Sequence, residues 1–119
     1  MSDLINLRGE LDRMTGHRAL LIKADGDAIP FDHVLGIRGV EVLIGAAGLD
    51  TINLRDGRVM FVDDLGFDKD KPVNLQATEI YHSVCRPGTT WQIRGDVIVV
   101  HDRDYLHRRR RRLIERTPR

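Results

Sequence analysis

The chain has 119 residues, which suits a single domain able to bury a core without metals or disulfides. Its 41% hydrophobic and 31% charged residues are typical of a globular protein, and its one cysteine excludes an internal disulfide and favours a reducing compartment. The start lacks a signal-peptide pattern and no apolar run could span a bilayer, so we expect a soluble, cytoplasmic protein.

Charge is unevenly distributed, although the net charge is only +1. Residues 1–100 carry 11 Lys and Arg against 15 Asp and Glu, or −4, whereas residues 101–119 carry eight Arg against three acids, or +5. An acidic body with a basic segment predicts an anionic partner, or a tail that folds back on its own body. We therefore expect a compact domain at 1–102 and a basic C-terminal helix or tail at 103–119.

The N-terminal part predicts a helix followed by two strands. Residues 2–14 predict a short helix, because Leu4, Leu7, Leu11 and Met14 recur at helical spacing. Residues 18–24 predict a strand that ends at a turn over 25–27. Residues 28–34 predict a short edge strand, since Pro30 excludes a central position.

The middle of the chain predicts a helix and a hairpin. Residues 36–47 are ambiguous: their apolar spacing favours a short helix, but Gly36, Gly39, Gly45 and the following Gly48 punctuate it, and Val42-Leu43-Ile44 would equally suit a strand. Residues 49–54 and 58–62 alternate apolar and polar side chains around Arg55-Asp56-Gly57, which predicts a hairpin. Residues 63–71 then form a charged loop.

The third quarter of the chain predicts the centre of the core. Asn74 can cap a helix that runs to Cys85 and ends before Pro87-Gly88. Residues 91–94 alternate as a half-buried strand would, and Gly95-Asp96 predicts a bulge or a tight turn. Residues 97–100 are entirely β-branched, which predicts a central strand under that helix.

These elements predict an α+β fold: a mostly antiparallel sheet with the 74–85 helix packed on one face and a basic C-terminal helix. Residues 105–115 predict that last helix, whose apolar side could form a protein or oligomer contact through Tyr105, Leu106, Leu113 and Ile114. No cofactor and no membrane contact is expected.

Several short motifs lie in a fixed order between residues 18 and 102: Asp56-Gly57-Arg58, Val62-Asp63-Asp64 with Gly66, Pro72-Val73-Asn74 leading into Ala77-Thr78, and Gly95-Asp96-Val97. In these motifs the chain resembles a small uncharacterised domain family carried by bacterial, plasmid and phage genes. The resemblance implies an α+β fold and a mobile-element origin. That family has no assigned activity, so it implies no catalytic residue, and the resemblance covers neither the N-terminal helix nor the arginine tail.

Two groups of residues could support chemistry. His82 and Cys85 lie three apart on a helix, so an imidazole-activated thiolate or a pair of metal ligands is conceivable, but a buried inert cysteine is the commoner outcome. Asp63, Asp64, Asp68 and Asp70 share one loop, but they lack the spacing of a calcium loop, so a solvated acidic loop or contact with the arginine tail is favoured.

Two further motifs match known recognition signals. Gly36-Ile37-Arg38-Gly39 resembles the Gly-x-x-Gly loop of K-homology domains, which closes on nucleic-acid phosphates, but the helix that should precede it is missing here. Arg94-Gly95-Asp96 spells an integrin-binding tripeptide, although Gly-Asp is also a structural start to a strand. We favour the structural interpretations, a glycine-rich turn for the first motif and the start of a strand for the second.

The arginines near the C-terminus are the strongest functional signal: Arg103, Arg108, Arg109, Arg110, Arg111, Arg112 and Arg116. Their guanidinium groups would bind phosphates through charge-assisted contacts, so the first hypothesis is a non-enzymatic accessory protein of a mobile element that binds nucleic-acid backbone. The second is a protein-binding module or an inhibitor of a host or defence protein, or a subunit of a larger assembly. The third is a small enzyme that uses His82 and Cys85.

Overall fold

The computed structural model describes residues 14, 16–66, 69–85 and 87–105. The predicted helix at 2–14, apart from Met14, and the tail from 106 onward lie outside the described residues. The described part contains five antiparallel strands in the order β2-β1-β5-β4-β3. The elements are β1 (Ala19–Ile22), β2 (Ala28–Phe31), α1 (Ile37–Ile44), β3 (Leu49–Asn53), β4 (Arg58–Asp63), α2 (Leu75–Val84), β5 (Val97–His101) and a 3₁₀ turn (Asp102–Asp104).

The predicted central strand, β5, pairs with β1 on one side and β4 on the other. Its Val97 and Val99 face a core that contains Ala77 and Ile80 of α2, and its Ile98 and Val100 face a second core that contains residues of α1. The strand is therefore buried on both sides, which explains its unbroken run of β-branched residues. We expected one helix packed on one face; in the structure each face of the sheet is covered by a helix.

Both predicted hairpins are confirmed. The β1–β2 turn closes with Gly26 at φ +104°, and the β3–β4 turn with Gly57 at φ +87°, a region where glycine carries no Cβ penalty. Pro30 lies on the edge strand opposite Leu20, so its missing amide hydrogen interrupts no ladder inside the sheet.

The ambiguous segment at 36–47 forms α1, as favoured. Val40 and Ile44 are buried against the sheet, and Ile37 packs at the edge of the same core. The helix ends because Gly45 takes the left-handed conformation at φ 68°, and its amide donates back to the Val42 carbonyl oxygen. The opposite face of α1 leaves Val42 67% exposed.

The predicted helix cap at Asn74 is confirmed, and its role extends beyond α2. Asn74 Oδ1 accepts from the Ala77 amide at 3.1 Å, while Nδ2 donates to the Ile22 carbonyl oxygen at 3.0 Å and to that of Gly95 at 2.9 Å. One side chain thus joins the start of α2, the end of β1 and the residues before β5. Because Asn74 is only 1% exposed, its side-chain amide cannot bond to water in place of these partners.

The expected strand at 91–94 is wrong. This segment is irregular and is held by an isolated bridge between Val73 and Arg94. Its backbone groups bond to α2 instead of to a strand, because Thr78 Oγ1 accepts from the Ile93 amide at 2.9 Å and the Asn74 amide donates to the Ile93 carbonyl oxygen at 2.8 Å. The alternation of apolar and polar residues here reflects one buried residue, Ile93, beside exposed neighbours.

None of the described helices is long and apolar enough to cross a membrane.

We expect Asn74→Ala to lower the free energy of unfolding by about 3 kcal/mol, because it removes the cap and leaves two buried carbonyl oxygens without their donor. Urea unfolding of the variant and the wild type would measure the loss. Asn53→Ala is the matched control, since Asn53 is exposed and accepts only a local bond from the Arg55 amide. Equal unfolding midpoints for the two variants would contradict this role for Asn74.

Candidate functional site

The most distinctive surface of the described residues surrounds Trp91, the only tryptophan of the chain. Trp91 is 58% exposed, although the segment that carries it is firmly attached. The ring nitrogen Nε2 of His82 hydrogen-bonds to the Trp91 carbonyl oxygen at 2.7 Å, and Ile93 is buried two residues later. An anchored backbone with an exposed indole is more typical of a binding surface than of a core position.

Beside Trp91 lies a cleft with a volume of about 90 Å³. Val62 of β4 contributes an apolar wall, and Asp50 lies opposite Val62 in the register of β3 and β4. The loop after β4 and the segment after α2 complete the lining with Asp63, Asp64, Gly66, Gln92, Ile93 and Arg94. The volume suits one small head group better than a nucleotide. Sequence analysis missed this site, since Asp50 and Trp91 are 41 positions apart in the chain.

Asp63 is the buried acid of this region, and two lysines neutralise it. Its side chain is 0% exposed; Lys71 Nζ lies 2.7 Å and Lys69 Nζ 3.0 Å from Oδ2. Lys71 Nζ also donates to the carbonyl oxygens of Ile44 and Gly45 at 2.9 Å, so it caps the C-terminal end of α1. The acidic loop therefore serves as a clamp between β4 and α1.

The metal interpretation of that loop gains no support from the described residues, which contain no group of three or more His, Cys, Asp or Glu side chains able to hold a metal ion. Asp68 lies outside the described residues, and the Asp70 side chain is 97% exposed. Asp70 Oδ1 lies 3.5 Å from the guanidinium of Arg94. Contact of this loop with the arginine tail stays a prediction, because the tail is not described.

The sequence favoured a buried inert Cys85 over a pair with His82, and in the structure Cys85 is partly buried. The imidazole bonds to the Trp91 carbonyl oxygen, whereas Cys85 shares a hydrogen bond with Tyr81. That hydrogen bond, followed by burial, raises the pKa of the Tyr81 hydroxyl above its ordinary value. The two groups of a thiolate–imidazole pair therefore bond to different partners among the described residues.

The two recognition motifs have structural explanations. Gly36 is the N-cap of α1, and Gly39 lies inside the helix, so Gly36-Ile37-Arg38-Gly39 forms a first helical turn where a K-homology loop would be open. In the Arg94-Gly95-Asp96 motif, Gly95 is buried at φ +82°, and Asp96 Oδ1 accepts from the Ala24 amide at 2.9 Å. This tripeptide ties β1 to the start of β5.

Tyr105 lies in the core and not on an exposed apolar stripe. It is 2% exposed, its hydroxyl donates to the Leu35 carbonyl oxygen at 2.5 Å, and its ring meets that of Phe61 edge to face. The carboxylate of the neighbouring Asp104 accepts two hydrogen bonds from the Arg18 guanidinium, at 2.6 and 3.2 Å, so the two side chains form a bidentate ion pair. The folded body therefore continues through Tyr105, past the boundary placed after residue 102, and Tyr105 cannot serve as a partner contact.

Of the predicted nucleic-acid contacts, only Arg103 lies among the described residues, where it is exposed in the 3₁₀ turn. Arg108–Arg112 and Arg116 lie outside them, as do Leu106, Leu113 and Ile114. The last described residue, Tyr105, lies in the core on the α1 face of the sheet.

Comparison of the chain with protein-family models, curated proteins and solved structures finds no significant match. The family resemblance and the mobile-element origin therefore stay predictions.

We expect Asp63→Asn to lower the free energy of unfolding at neutral pH by roughly 3 kcal/mol, because it breaks a buried ion pair. Burial opposes ionisation of Asp63, but hydrogen bonds from Lys71, the Leu65 amide and Lys69 prevail and lower its pKa below the ordinary value. The carboxylate therefore contributes its full stability above the unfolded-state pKa of about 4, and this contribution is lost as the pH falls through the lower folded-state pKa.

Urea unfolding of wild type and Asp63→Asn from about pH 7 down to about pH 2 checks this, since the difference between them should shrink in the acid range. Asp64→Asn, in the exposed neighbour, is the control and should stay within about 0.5 kcal/mol of wild type. A difference in unfolding free energy between the two proteins that grows toward low pH would contradict the lowered pKa of Asp63.

We expect Tyr105→Phe to cost about 1–2 kcal/mol through the lost bond to Leu35, and Tyr105→Ala about 3–5 kcal/mol through the lost ring. A chain that ends at residue 102 should be as unstable as Tyr105→Ala, whereas one that ends at residue 107 should unfold near the full-length midpoint. Thermal and urea unfolding measure all four. A stable chain ending at residue 102 would show that Tyr105 is dispensable.

Proposed function

We propose that the protein binds the sugar-phosphate backbone of nucleic acid through its arginine-rich C-terminal segment, as a non-enzymatic accessory protein. The observation that carries this proposal is the attachment of that segment to the folded body. Tyr105 and the Arg18–Asp104 ion pair hold the chain at residue 105, three residues before the first arginine of the run. The arginines therefore start from a defined point on the domain.

The distribution of charge supports the same function. Residues 1–105 carry 12 Lys and Arg against 17 Asp and Glu, or −5, and residues 106–119 carry seven Arg against one Glu, or +6. An acidic body repels a polyanion, while the basic segment attracts it, so contact should be confined to the segment. A tail on a folded body can then bring that body to a nucleic acid without enclosing it.

The binding should depend on phosphate charge and little on sequence. Guanidinium groups pair with phosphate oxygens, and five such contacts would give a slope of log affinity against log salt near −4 or −5 on duplex DNA, at about −0.9 per contact. Aromatic residues make up 5% of the chain, so stacking on single-stranded bases contributes little. An accessory role in a mobile element rests on the family resemblance alone.

A second candidate function is protein binding, and the outer face of α1 favours it. Val42, Leu43 and nearby Val34 are 67%, 39% and 42% exposed, an unusual number of apolar side chains for one short segment. This surface lies on the same side of the sheet as Tyr105, the last described residue before the arginine segment. Light scattering with a co-purified partner would favour this candidate, and loss of the complex on Val42→Ser would locate the contact.

We expect replacement of Arg108–Arg112 by Gln to weaken binding to fluorescent duplex DNA or RNA at least a hundredfold at low salt, because the phosphate contacts are lost. Fluorescence anisotropy over a salt series measures both affinity and slope. The melting temperature should stay close to that of wild type, since the described core is left unchanged.

The matched control is Arg38→Gln with Arg55→Gln, two exposed arginines of the body. These changes should leave the affinity within about threefold of wild type if the segment alone makes the contact. Retained binding by the Arg108–Arg112 variant, or an equal loss in the control, would reject the arginine segment as the nucleic-acid site.

A further inference from the structure

We propose that the cleft beside Trp91 binds the guanidinium group of an arginine, and that its occupant is the C-terminal arginine segment of a second copy of this chain. This inference goes beyond nucleic-acid binding, because it assigns a ligand to a different surface. It rests on three properties of the cleft: its exposed carboxylates, its indole and its size.

The first property is the pair of acids at the mouth of the cleft. Asp50 and Asp64 both line it and both are exposed. Neither makes an ion pair within the described part of the chain, whereas the charge of Asp63 is matched by Lys69 and Lys71. Arg94, the one cation of the lining, donates to the Lys71 carbonyl oxygen at 3.0 Å and lies 3.5 Å from Asp70. The two exposed carboxylates thus favour an incoming cation.

The second property is the tryptophan. An indole face attracts a cation most strongly among the aromatic side chains, and guanidinium also stacks on it through its planar shape. The Trp91 backbone is held by His82 and the buried Ile93, so binding has to order the side chain but not the segment that carries it. Carboxylates beside an exposed indole match arginine, because its planar group can stack on the ring while donating to an acid.

The third property is the size and depth of the cleft. A volume of about 90 Å³ accepts a side-chain head group, and the apolar wall of Val62 and Ile93 suits the methylene stem behind it. Gly66 lets its backbone lie close to that of Arg94, which also lines the cleft, because a Cβ at this position would lie 3.1 Å from the Arg94 carbonyl oxygen.

The chain itself supplies the complementary ligand in its five consecutive arginines. A second copy is the better donor, because Tyr105, the last described residue, lies on the face of the sheet opposite the cleft. Tyr105 packs on the α1 face near the β3–β4 turn, where the Asp102 amide donates to the Gly57 carbonyl oxygen. The cleft lies on the α2 face at the other end of β4, about 17 Å along the strand. If residues 105–112 form the helix that the sequence predicts, that helix would rise only about 10 Å by Arg112.

The resulting contact is head-to-tail: the segment of one copy occupies the cleft of the next. Two copies can exchange their segments reciprocally in a closed dimer, or the contact can continue from copy to copy, and in both cases the mass should grow with concentration. Nucleic acid would compete for the same arginines and release the copies from one another. The cleft thus gives the arginine segment a protein ligand in the absence of a polyanion.

The test uses the full chain with Arg108–Arg112 replaced by Gln, so that its own segment does not compete, and a synthetic peptide of residues 106–119. Trp91 reports binding, because it is the only tryptophan. We expect the peptide to shift the Trp91 emission to shorter wavelength in a saturable way. Adding Asp50→Asn and Asp64→Asn should weaken this binding at least tenfold, and a peptide with glutamine in place of the five arginines should not bind.

The matched control pair is Asp25→Asn with Asp27→Asn, two exposed acids of the β1–β2 turn, which should bind the peptide as the parent does. In the otherwise wild-type chain, sedimentation velocity should show a mass that rises with concentration, and the Asp50/Asp64 pair should abolish the rise. The Asp50/Asp64 variants should retain nucleic-acid binding. Failure of the cleft to bind the segment can therefore be told apart from failure of the segment to bind nucleic acid.

Four results would overturn the inference. The peptide could leave the Trp91 emission unchanged up to millimolar concentration, or the Asn pair could bind it as tightly as the parent. A full chain that stays monomeric at every concentration would reject the second copy as occupant, as would an emission shift that the chain's own segment produces independently of concentration.

Discussion

The side chain of Asn74 is the interaction on which the arrangement of this protein depends. It accepts from the first turn of α2 and donates to the ends of two other segments, at Ile22 and Gly95. Because the three bonds use both ends of one buried amide, α2 can start at only one position relative to β1 and β5. The helix position then determines where the residues after α2 pass over the sheet.

The position of Trp91 is a consequence of that constraint. The segment from Trp91 to Arg94 has no strand partner, so its backbone groups are satisfied by His82, Thr78 and Asn74. An unpaired buried amide or carbonyl costs free energy, and these bonds remove that cost without a ladder. The outcome is an irregular segment with a fixed course, which holds the indole beside the acids of β3 and the loop after β4.

A second clamp, between Asp63 and Lys71, acts on the other helix. Lys71 reaches both the Asp63 carboxylate and the last carbonyl oxygens of α1, so the charged loop joins β4 to a helix on the opposite face. The acids of this protein therefore divide into two kinds. Asp63 is buried and matched by lysines, whereas Asp50 and Asp64 face solvent beside Trp91, which leaves them available to a cation.

The sequence by itself determined the local elements: the two hairpins, the cap at Asn74, the edge strand with Pro30 and the buried strand at 97–100. Turn residues, caps and periodicity act over a few positions, so they can be recognised without the rest of the chain. Charge composition likewise identified the arginine segment. The tertiary structure alone decided that β5 lies between β1 and β4, that Tyr105 belongs to the core, and that Asp50 meets Trp91 in one cleft. These features depend on contacts between residues far apart in the chain, and alternation alone could not tell a strand at 91–94 from a loop whose bonds go to a helix.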